Sequence, residues 1–293
     1  MKLLKLGFVD TIEPIANFFI KTLEKEYEVV RDDNNPDYLI FGDLNFGNNN
    51  MKYNSRNNSK IFFTGENERP WNYSRHFGIS FEHIDDANNY RLPIYVVYDY
   101  DNQHRNLPNS TNKVRKLEDR QTQNKFCSAL VSNPRCEFRN QFFHKLSEYK
   151  QVDSAGSWNN NIGRQLERGS DGVKIKFDFL NNYKFNLCFE NSSYPGYATE
   201  KVYEALCCNT IPIYWGSPTV EMDFNPKAFL SWHDYQDDVA FIEAIKELDQ
   251  NEDKYNEMFL QPMFRDGQST KFFDLDRFVK WFDKNVYKGV LNG

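Results

Sequence analysis

The chain has 293 residues and a formal net charge of −6, with 40% of its residues hydrophobic and 27% charged. This is the composition of a globular protein long enough for two domains, and no basic stripe of the kind that follows a nucleic-acid backbone is present. The five cysteines form no Cys-x-x-Cys pair, and no apolar run approaches about 18 residues, which argues against a zinc site, a disulfide framework and a membrane span. We therefore expect a cytoplasmic protein with reduced, buried thiols, no nucleic-acid partner and at most peripheral contact with a membrane.

Short apolar strands alternate with a helix near the start of the chain, a pattern typical of a parallel sheet with crossover helices. Polar residues directly follow two of these strands, at Gly42-Asp43 and at Thr64-Gly-Glu-Asn67. Because ligands of such sheets lie just beyond the carboxyl ends of the strands, these two turns are placed to face a ligand. The predicted elements are strand 3–9, helix 12–25, and strands 27–30, 37–41 and 61–63.

Two polar stretches interrupt this pattern. Residues 45–59 are rich in asparagine, and their composition predicts a loop. Residues 102–123 are polar and charged without an apolar period, which favours an interdomain connection or a flexible loop.

A second alternation of strands and helices follows, and it predicts a second α/β unit. Its end, residues 271–287, carries aromatic residues at helical spacing and predicts an amphipathic closing helix. Two α/β sheets joined by a hinge, with a cleft between them, is the simplest architecture. The remaining predicted elements are strand 126–131, helix 139–146, loop 152–172, strand 185–189, helix 199–207, strand 211–215 and helix 239–248.

The segment 189–218, FENSSYPGYATEKVYEALCCNTIPIYWGSP, carries the strongest chemical signal. Glu200 and Lys201 lie in the first turn of a predicted helix, where free backbone N–H groups and the helix dipole favour anions. A lysine is disfavoured there, and a bound phosphate would explain it, whereas the alternative is a solvated Glu-Lys pair. Glu190 and Asn191 end the preceding strand, so polar groups converge on one spot, as in a nucleotide-diphosphate site.

The block 185–218 closely resembles the signature of the α1,3-fucosyltransferases of glycosyltransferase family 10, particularly the bacterial members. Further matching segments are FTGEN at 63–67, VSNP at 131–134 with Arg139 and Asn140 after it, and DFNPK at 223–227. The resemblance is strong over residues 125–230, clear around 60–70 and weak elsewhere.

This resemblance implies the GT-B arrangement, with two Rossmann-like domains facing each other across a cleft. Residues 1–122 would form the acceptor-side domain that carries the catalytic base, and residues 123–270 would bind GDP-fucose. Residues 271–293 would form a C-terminal helix that packs back on the N-terminal domain.

The resemblance also implies an inverting transfer of L-fucose from GDP-β-L-fucose to O3 of GlcNAc. The acceptor would be a glycan with terminal Gal-GlcNAc, the product of the Lewis X type, made in lipopolysaccharide biosynthesis or a related glycan pathway. No cofactor and no metal would be required, because placed cations would stabilise the departing GDP. The sequence favours no particular oligomeric state.

Individual site residues are implied by position in the matching motifs. Glu66 corresponds to the catalytic base, and Glu200 to a carboxylate that contacts the fucose ring and stabilises positive charge at the anomeric carbon. Arg139 and Lys201 correspond to the cations that bind the diphosphate, whereas Glu190 is expected to hold the loop in shape. The further donor-binding residues are Asn191 and Tyr197.

Two other functions fit parts of the sequence. Asp99 and Asp101 form an Asp-x-Asp pair, which metal-dependent GT-A glycosyltransferases use to hold a divalent cation, although a solvated loop is the simpler interpretation. The many aromatic residues suit a glycan-binding protein without enzymatic activity, although core filling is again simpler. Finally, the Asn- and Ser-rich stretch 153–172 predicts a mobile loop that closes over GDP-fucose.

Overall fold

The computed structural model describes residues 1–84, 86–111, 113–167 and 172–287. It divides into two compact units, of which unit 1 comprises Met1–Asp101 with Thr270–Gly293 and unit 2 comprises Asn102–Ser269. Each unit contains one parallel sheet with helices, which confirms the predicted α/β class with two sheets. No helix within the described ranges is both long and apolar enough to cross a membrane.

Unit 1 is built on a six-stranded parallel sheet with the strand order β2-β1-β3-β4-β5-β6. The four strands predicted in this region are confirmed, and the two outer strands at the β6 edge were not predicted. The elements are β1 Lys2–Val9, α1 Glu13–Leu23, β2 Tyr27–Arg31, β3 Tyr38–Phe41, β4 Ser59–Phe63, β5 Phe77–Ser80, β6 Asn89–Arg91 and α2 Ile94–His104.

Helix α1 illustrates how a helix of unit 1 buries one apolar face against the sheet. Its buried positions include Ile15, Phe18, Phe19 and Leu23, which recur at the three- and four-residue spacing of one helix face. A proline in the first turn starts the helix, where its missing N–H costs nothing. The apolar face then packs on the sheet, as the edge-on contact of Phe19 with Phe63 of the all-buried strand β4 illustrates.

Unit 2 contains a five-stranded parallel sheet with the order β11-β10-β9-β7-β8. Its central strand β9 is flanked by β7 and β10, so the carboxyl end of β9 lies in the middle of the sheet edge. The elements are β7 Lys125–Ala129, α3 Glu137–Tyr149, β8 Val152–Ser154, α4 Gly172–Leu180, β9 Tyr183–Phe189, α5 Glu200–Cys207, β10 Ile211–Trp215, β11 Leu230–Ser231, α6 Asp238–Gln250 and α7 Glu252–Phe259.

Aromatic rings fill the cores of both units, which confirms core filling as their main role. Among the described residues, the largest fully buried side chains are tyrosine and phenylalanine rings, with Arg139 as the exception. All five cysteines are buried as free thiols, as predicted.

The C-terminal segment packs on unit 1 through α8 Leu275–Trp281 and a π-helical turn at Phe282–Tyr287. Lys2 Nζ lies 2.7 Å from Asp283 Oδ1, and the hydroxyl of Tyr27 donates to the same oxygen at 2.7 Å. The ring of Phe278 lies 5.7 Å from that of Phe19 on α1.

The stretch 102–123 is not a free connection. The guanidinium of Arg115 is buried and donates to the carbonyl oxygens of Thr210 (3.2 Å) and Gln261 (3.0 Å). These contacts tie the stretch to unit 2, which begins at Asn102.

The prediction of a loop over 152–172 is wrong at its start, because β8 pairs with β7 there. The turn that follows is held by Asn161 Oδ1, which accepts from the Ser154 N–H at 2.7 Å, and by the Leu166 N–H, which donates to the Ala155 carbonyl at 3.2 Å. Residues 168–171 of this stretch lie outside the described residues, and its closure over a ligand remains a prediction.

Candidate active site

Glu190 organises the carboxyl edge of the unit 2 sheet. It follows β9 directly, and its side chain is fully buried. The carboxylate accepts hydrogen bonds from the backbone N–H of Thr199 (2.7 Å), from the Thr199 hydroxyl (2.7 Å to Oε2) and from Lys201 Nζ (2.8 Å). The end of the central strand is thereby bonded to the first turn of α5, in agreement with the structural role predicted for Glu190.

Two glycines permit this arrangement. A Cβ at Gly216 would lie 2.4 Å from Glu190 Cγ, so no larger residue fits where the two strand ends meet. Gly196 has a φ of 82°, which side chains disfavour, and its N–H donates to Ser217 Oγ at 2.9 Å. The turn before α5 is therefore fixed to the turn after β10.

Lys201 is fixed by carboxylates and is not a freely solvated side chain. Its Nζ also contacts Thr199 Oγ1 at 2.8 Å and Glu200 Oε1 at 3.4 Å, and 21% of its side chain is exposed. Burial alone would lower the pKa of Lys201, but the carboxylates of Glu190 and Glu200 outweigh it and raise that pKa well above its usual value. The structure thus supplies a partner for Lys201 that the sequence alone does not indicate, the buried Glu190.

Glu200 belongs to the same ion network. Burial would raise the pKa of its carboxyl, but the ammonium groups of Lys201 and Lys176 prevail and lower it to about 2. Lys176 lies on α4, and its Nζ is 2.5 Å from Oε1 of Glu204, one helical turn beyond Glu200. Sequence analysis missed Lys176. The signal for it in the sequence is the four-residue spacing of Glu200 and Glu204, which places two acids on one helix face that a cation would stabilise.

Arg139 joins the ends of two neighbouring strands. Its guanidinium donates to Asn191 Oδ1 (2.9 Å), to the Phe189 carbonyl (3.3 Å) and to the Asn133 carbonyl (2.6 Å). The residue is 1% exposed, and its Nε is buried without a hydrogen-bond partner among the described residues. Arg139 therefore orients Asn191 while it retains one donor not used by the protein.

Tyr197, the other predicted donor contact, is 1% exposed and lies inside the turn before α5. Its backbone N–H donates to the Tyr194 carbonyl at 3.0 Å. Both Arg139 and Lys201 interact electrostatically with Tyr197 and with Glu190. The structure therefore brings the predicted residues of unit 2 together around one buried carboxylate.

Glu66 lies in unit 1, just beyond the carboxyl end of β4, as predicted from the sequence. It is half-buried, and its N–H donates to Thr64 Oγ1 at 3.0 Å. The Thr64 hydroxyl in turn donates to the fully buried carboxylate of Asp43. The turn that carries Glu66 is thus anchored to the next strand end in the sheet.

The Asp-x-Asp pair does not lie in a solvated loop. Asp99 and Asp101 are on helix α2, and Asp99 is 2% exposed. Residues two apart on a helix point in directions about 200° apart, so these two carboxylates cannot bind one ion together. In the part of the chain that the structure describes, no group of three or more His, Cys, Asp or Glu side chains is arranged to hold a metal ion.

Both halves of the chain match models of one family. Residues 120–265 match glycosyltransferase family 10 (fucosyltransferase), C-terminal part, and residues 5–98 match the N-terminal domain of α-(1,3)-fucosyltransferase FucT. The chain belongs to glycosyltransferase family 10. The predicted family is therefore confirmed.

Individual relatives in family 10 agree with this assignment. The chain is 35% identical over 256 residues to the α-(1,3)-fucosyltransferase FucT of Helicobacter pylori, a match covering 75% of this chain and 51% of that protein. It thus spans about half the length of this curated relative.

Solved fucosyltransferases share the fold. A crystal structure of an α1,3-fucosyltransferase matches with a TM-score of 0.82 and 26% identity, over 100% of this chain and 91% of the other. A crystal structure of an α1,3-fucosyltransferase with GDP-fucose matches with a TM-score of 0.78 over 92% of its length, also at 26% identity.

Proposed function

We propose that this family 10 chain is an inverting α1,3-fucosyltransferase that transfers L-fucose from GDP-β-L-fucose to O3 of GlcNAc in Gal-GlcNAc glycans. The observation that carries the proposal is the ion network at the carboxyl edge of the unit 2 sheet. There, a strand end and a helix N-terminus place Asn191, Lys201, Glu200 and Arg139 around the buried Glu190. This is the edge at which parallel α/β sheets bind ligands.

On the donor side, Lys201 meets the diphosphate as a point charge. Its side chain is partly exposed and its ammonium remains protonated, so it can offset the negative charge that develops on the departing β-phosphate. Arg139 is too buried to bind phosphate with its whole guanidinium, and it acts mainly by orienting Asn191 toward the nucleotide sugar. Lys201 is therefore the cation with the larger direct contribution.

Glu200 contacts the fucose ring. Its carboxyl, with a pKa of about 2, is ionised at neutral pH. An anion beside the sugar stabilises the positive charge that grows at C1 as the bond to the phosphate lengthens. Tyr197 fills the turn before α5 and thereby holds the donor site in shape.

On the acceptor side, Glu66 acts as the general base. Its carboxylate takes the proton from O3 of GlcNAc while O3 forms a bond to C1 of fucose. The bond between C1 and the β-phosphate oxygen breaks at the same time, and its electron pair leaves with GDP. Attack from the face opposite the leaving group converts the β-linked donor to an α-fucoside.

The test is incubation with GDP-fucose and a panel of type 1 and type 2 disaccharides, followed by linkage analysis of the products. We expect α1,3-fucosylated N-acetyllactosamine, and loss of most of the GDP affinity in Lys201→Ala by calorimetry. Lys246→Ala, which removes a partly exposed lysine from α6, is the matched control and should bind GDP normally. Binding of free glycan without any affinity for GDP would instead favour a glycan-binding protein.

A further inference from the structure

The Asn-rich segment 45–59 is partly folded and lines a pocket in unit 1. Residues Asn49–Tyr53 form a 3₁₀ helix, and the residues after it enclose about 220 Å³ together with Ser74–His76. The pocket lies at the amino-terminal starts of β4 and β5, whereas Glu66 lies beyond the opposite end of β4.

The charged groups known to line this pocket are all positive. Arg56, Lys60 and Arg75 line it, with His76 beside them, and no carboxylate among the described residues contributes to its wall. Among the described residues, none of these three basic side chains forms an ion pair with a carboxylate. Such a cluster is unexpected on a chain with a net charge of −6.

Lys60 is the most buried of these cations. It is 3% exposed, and its Nζ donates only to neutral amide oxygens, those of Asn50 (3.0 Å) and Asn54 (2.6 Å). Burial lowers the pKa of Lys60, and the carboxylate of Asp10, which accepts from the same Asn50 amide, raises it only in part. A buried ammonium without a carboxylate in direct contact is costly unless an anion approaches it.

Two further side chains have unused hydrogen-bonding groups in the same wall. Both polar atoms of the Asn58 amide are buried without a partner among the described residues. The same holds for Nε of Arg75. Burial lowers the pKa of Arg75, and the carboxylate of Asp86 raises it only in part. Orphaned buried donors of this kind are rare in native proteins, and a ligand that binds beside them satisfies their hydrogen bonds.

The remaining donors are held in place by their neighbours. Arg56 stacks on the ring of Tyr53 at 4.4 Å and donates one N–H to the Asn34 carbonyl, which leaves other guanidinium donors for a ligand. His76 accepts the N–H of Lys60 at its Nδ1 (2.9 Å), so Nε2 carries the ring hydrogen and is a donor. The pocket therefore presents hydrogen-bond donors that are already held in position.

We propose that this pocket binds a phosphate group. Several N–H donors and three cations suit a tetrahedral anion with two negative charges better than they suit a single carboxylate. The volume admits a phosphate with a small substituent. The group belongs either to a free phosphate or phosphomonoester, or to an anionic lipid headgroup at a membrane surface.

Titration calorimetry with inorganic phosphate at low salt tests the proposal. We expect the affinity to fall at least tenfold in Arg75→Leu and in Arg56→Gln. It should stay unchanged in Lys52→Gln, an exposed lysine on the adjacent 3₁₀ helix that does not line the pocket. It should also stay unchanged in Lys201→Ala, which separates this site from the donor site of unit 2.

Sedimentation with phosphatidylglycerol vesicles distinguishes the two sources. Binding of the unmodified chain to these vesicles but not to phosphatidylcholine vesicles, lost in Arg56→Gln, would assign the phosphate to a lipid headgroup. Arg56 is exposed, so this variant carries both tests if Arg75→Leu does not fold. If neither phosphate nor vesicles bind, or if only Lys201→Ala abolishes binding, the proposal is wrong.

Discussion

The carboxyl edges of the two sheets hold their buried acids in opposite ways. In unit 2, Glu190 is bonded to the ammonium of Lys201, and each carboxylate in the network has a cation beside it. In unit 1, Asp10 is held by neutral groups, since the backbone and side-chain N–H groups of Asn49 and Asn50 all donate to it. Burial would raise the pKa of Asp10, but these four donors lower it.

This difference teaches what each edge can do for a reaction. Neutral donors stabilise the ionised carboxylate of Asp10 and make it a weaker base, so Asp10 fixes the turn at Asn49 and Asn50, and proton acceptance at this edge is left to Glu66. Ion pairs instead fix both partners in one geometry, so the unit 2 edge presents oriented charges to a charged ligand. The following predictions test this contrast, from the largest effect to the smallest.

The unit 1 edge should supply the base. Glu66→Gln keeps the shape of the side chain but cannot accept a proton, so we expect the rate of fucosyl transfer to fall by ~10²–10⁴-fold. The affinity for GDP, measured by calorimetry, should not change. Glu68→Gln, two residues further along the same half-buried turn, is the control, and a comparable loss of rate in that variant would remove the special role of Glu66.

The unit 2 edge should depend on its buried ion pair for stability. Glu190→Gln leaves Lys201 without its closest counter-ion, and we expect a loss of roughly 3 kcal/mol in the free energy of unfolding. The value lies at the low end for broken buried pairs because Glu200 is still 3.4 Å from the ammonium. Urea-induced unfolding followed by circular dichroism measures it.

A matched exposed pair is the control for that variant. Asp178 pairs with Lys174 at 2.6 Å, and both side chains are more than 60% exposed. Asp178→Asn should therefore change the stability by less than about 1 kcal/mol. Equal losses in the two variants would show that burial of the Glu190 pair has no special importance.

The close packing at Glu190 can be tested separately from its charge. Gly216→Ala places a methyl group against Glu190 Cγ, and overpacking of this kind costs about 1–3 kcal/mol. The affinity for GDP should fall with it, because the methyl group displaces the carboxylate that holds Lys201. If neither the free energy of unfolding nor the affinity for GDP changed, the two strand ends would have to move apart easily.

The ion network should also give the stability a dependence on pH. The folded pKa of Glu200 is about 2, below its ordinary value of 4.5, so its contribution is complete above about pH 4.5 and is lost as the pH falls toward 2. Glu200→Gln should therefore show a shallower loss of stability between pH 5 and pH 3. Urea midpoints across this range measure the slope, with Glu257→Gln on the surface of α7 as the control.

The elements around the unit 2 site could be predicted because their patterns are local. The strand 211–215 has the observed bounds, and the helix expected over 199–207 starts one residue later, at Glu200, with Thr199 as its N-cap. Apolar runs bounded by polar turns are sufficient to locate such elements.

Other elements carry no local signal. The helix α2 begins IYVVYDYD, and its first four residues are all buried, so no amphipathic period distinguishes it from a strand. The strand β8 has three residues, and Asp153 in its centre accepts a hydrogen bond from the distant Tyr183 hydroxyl at 2.7 Å. Only the folded sheet makes this residue part of a strand.

The same limit applies to the candidate site. The residues in the matching motifs could be named from the sequence, but their partners come from other elements. The pair of Lys176 with Glu204 links α4 to α5 across 28 positions in the chain. The cationic pocket near Lys60 likewise depends on side chains from two separated segments.

Because residues 275–287 pack on α1 and on strands β1 and β2, unit 1 is completed only by a segment that follows unit 2 in the chain. At about 5–20 residues per second, a ribosome needs about 10–40 s to proceed from residue 101 to residue 287. During that time all of unit 2 is synthesised, whereas the apolar surface of unit 1 that binds α8 remains exposed. The chain order therefore favours folding in which unit 2 is finished before unit 1.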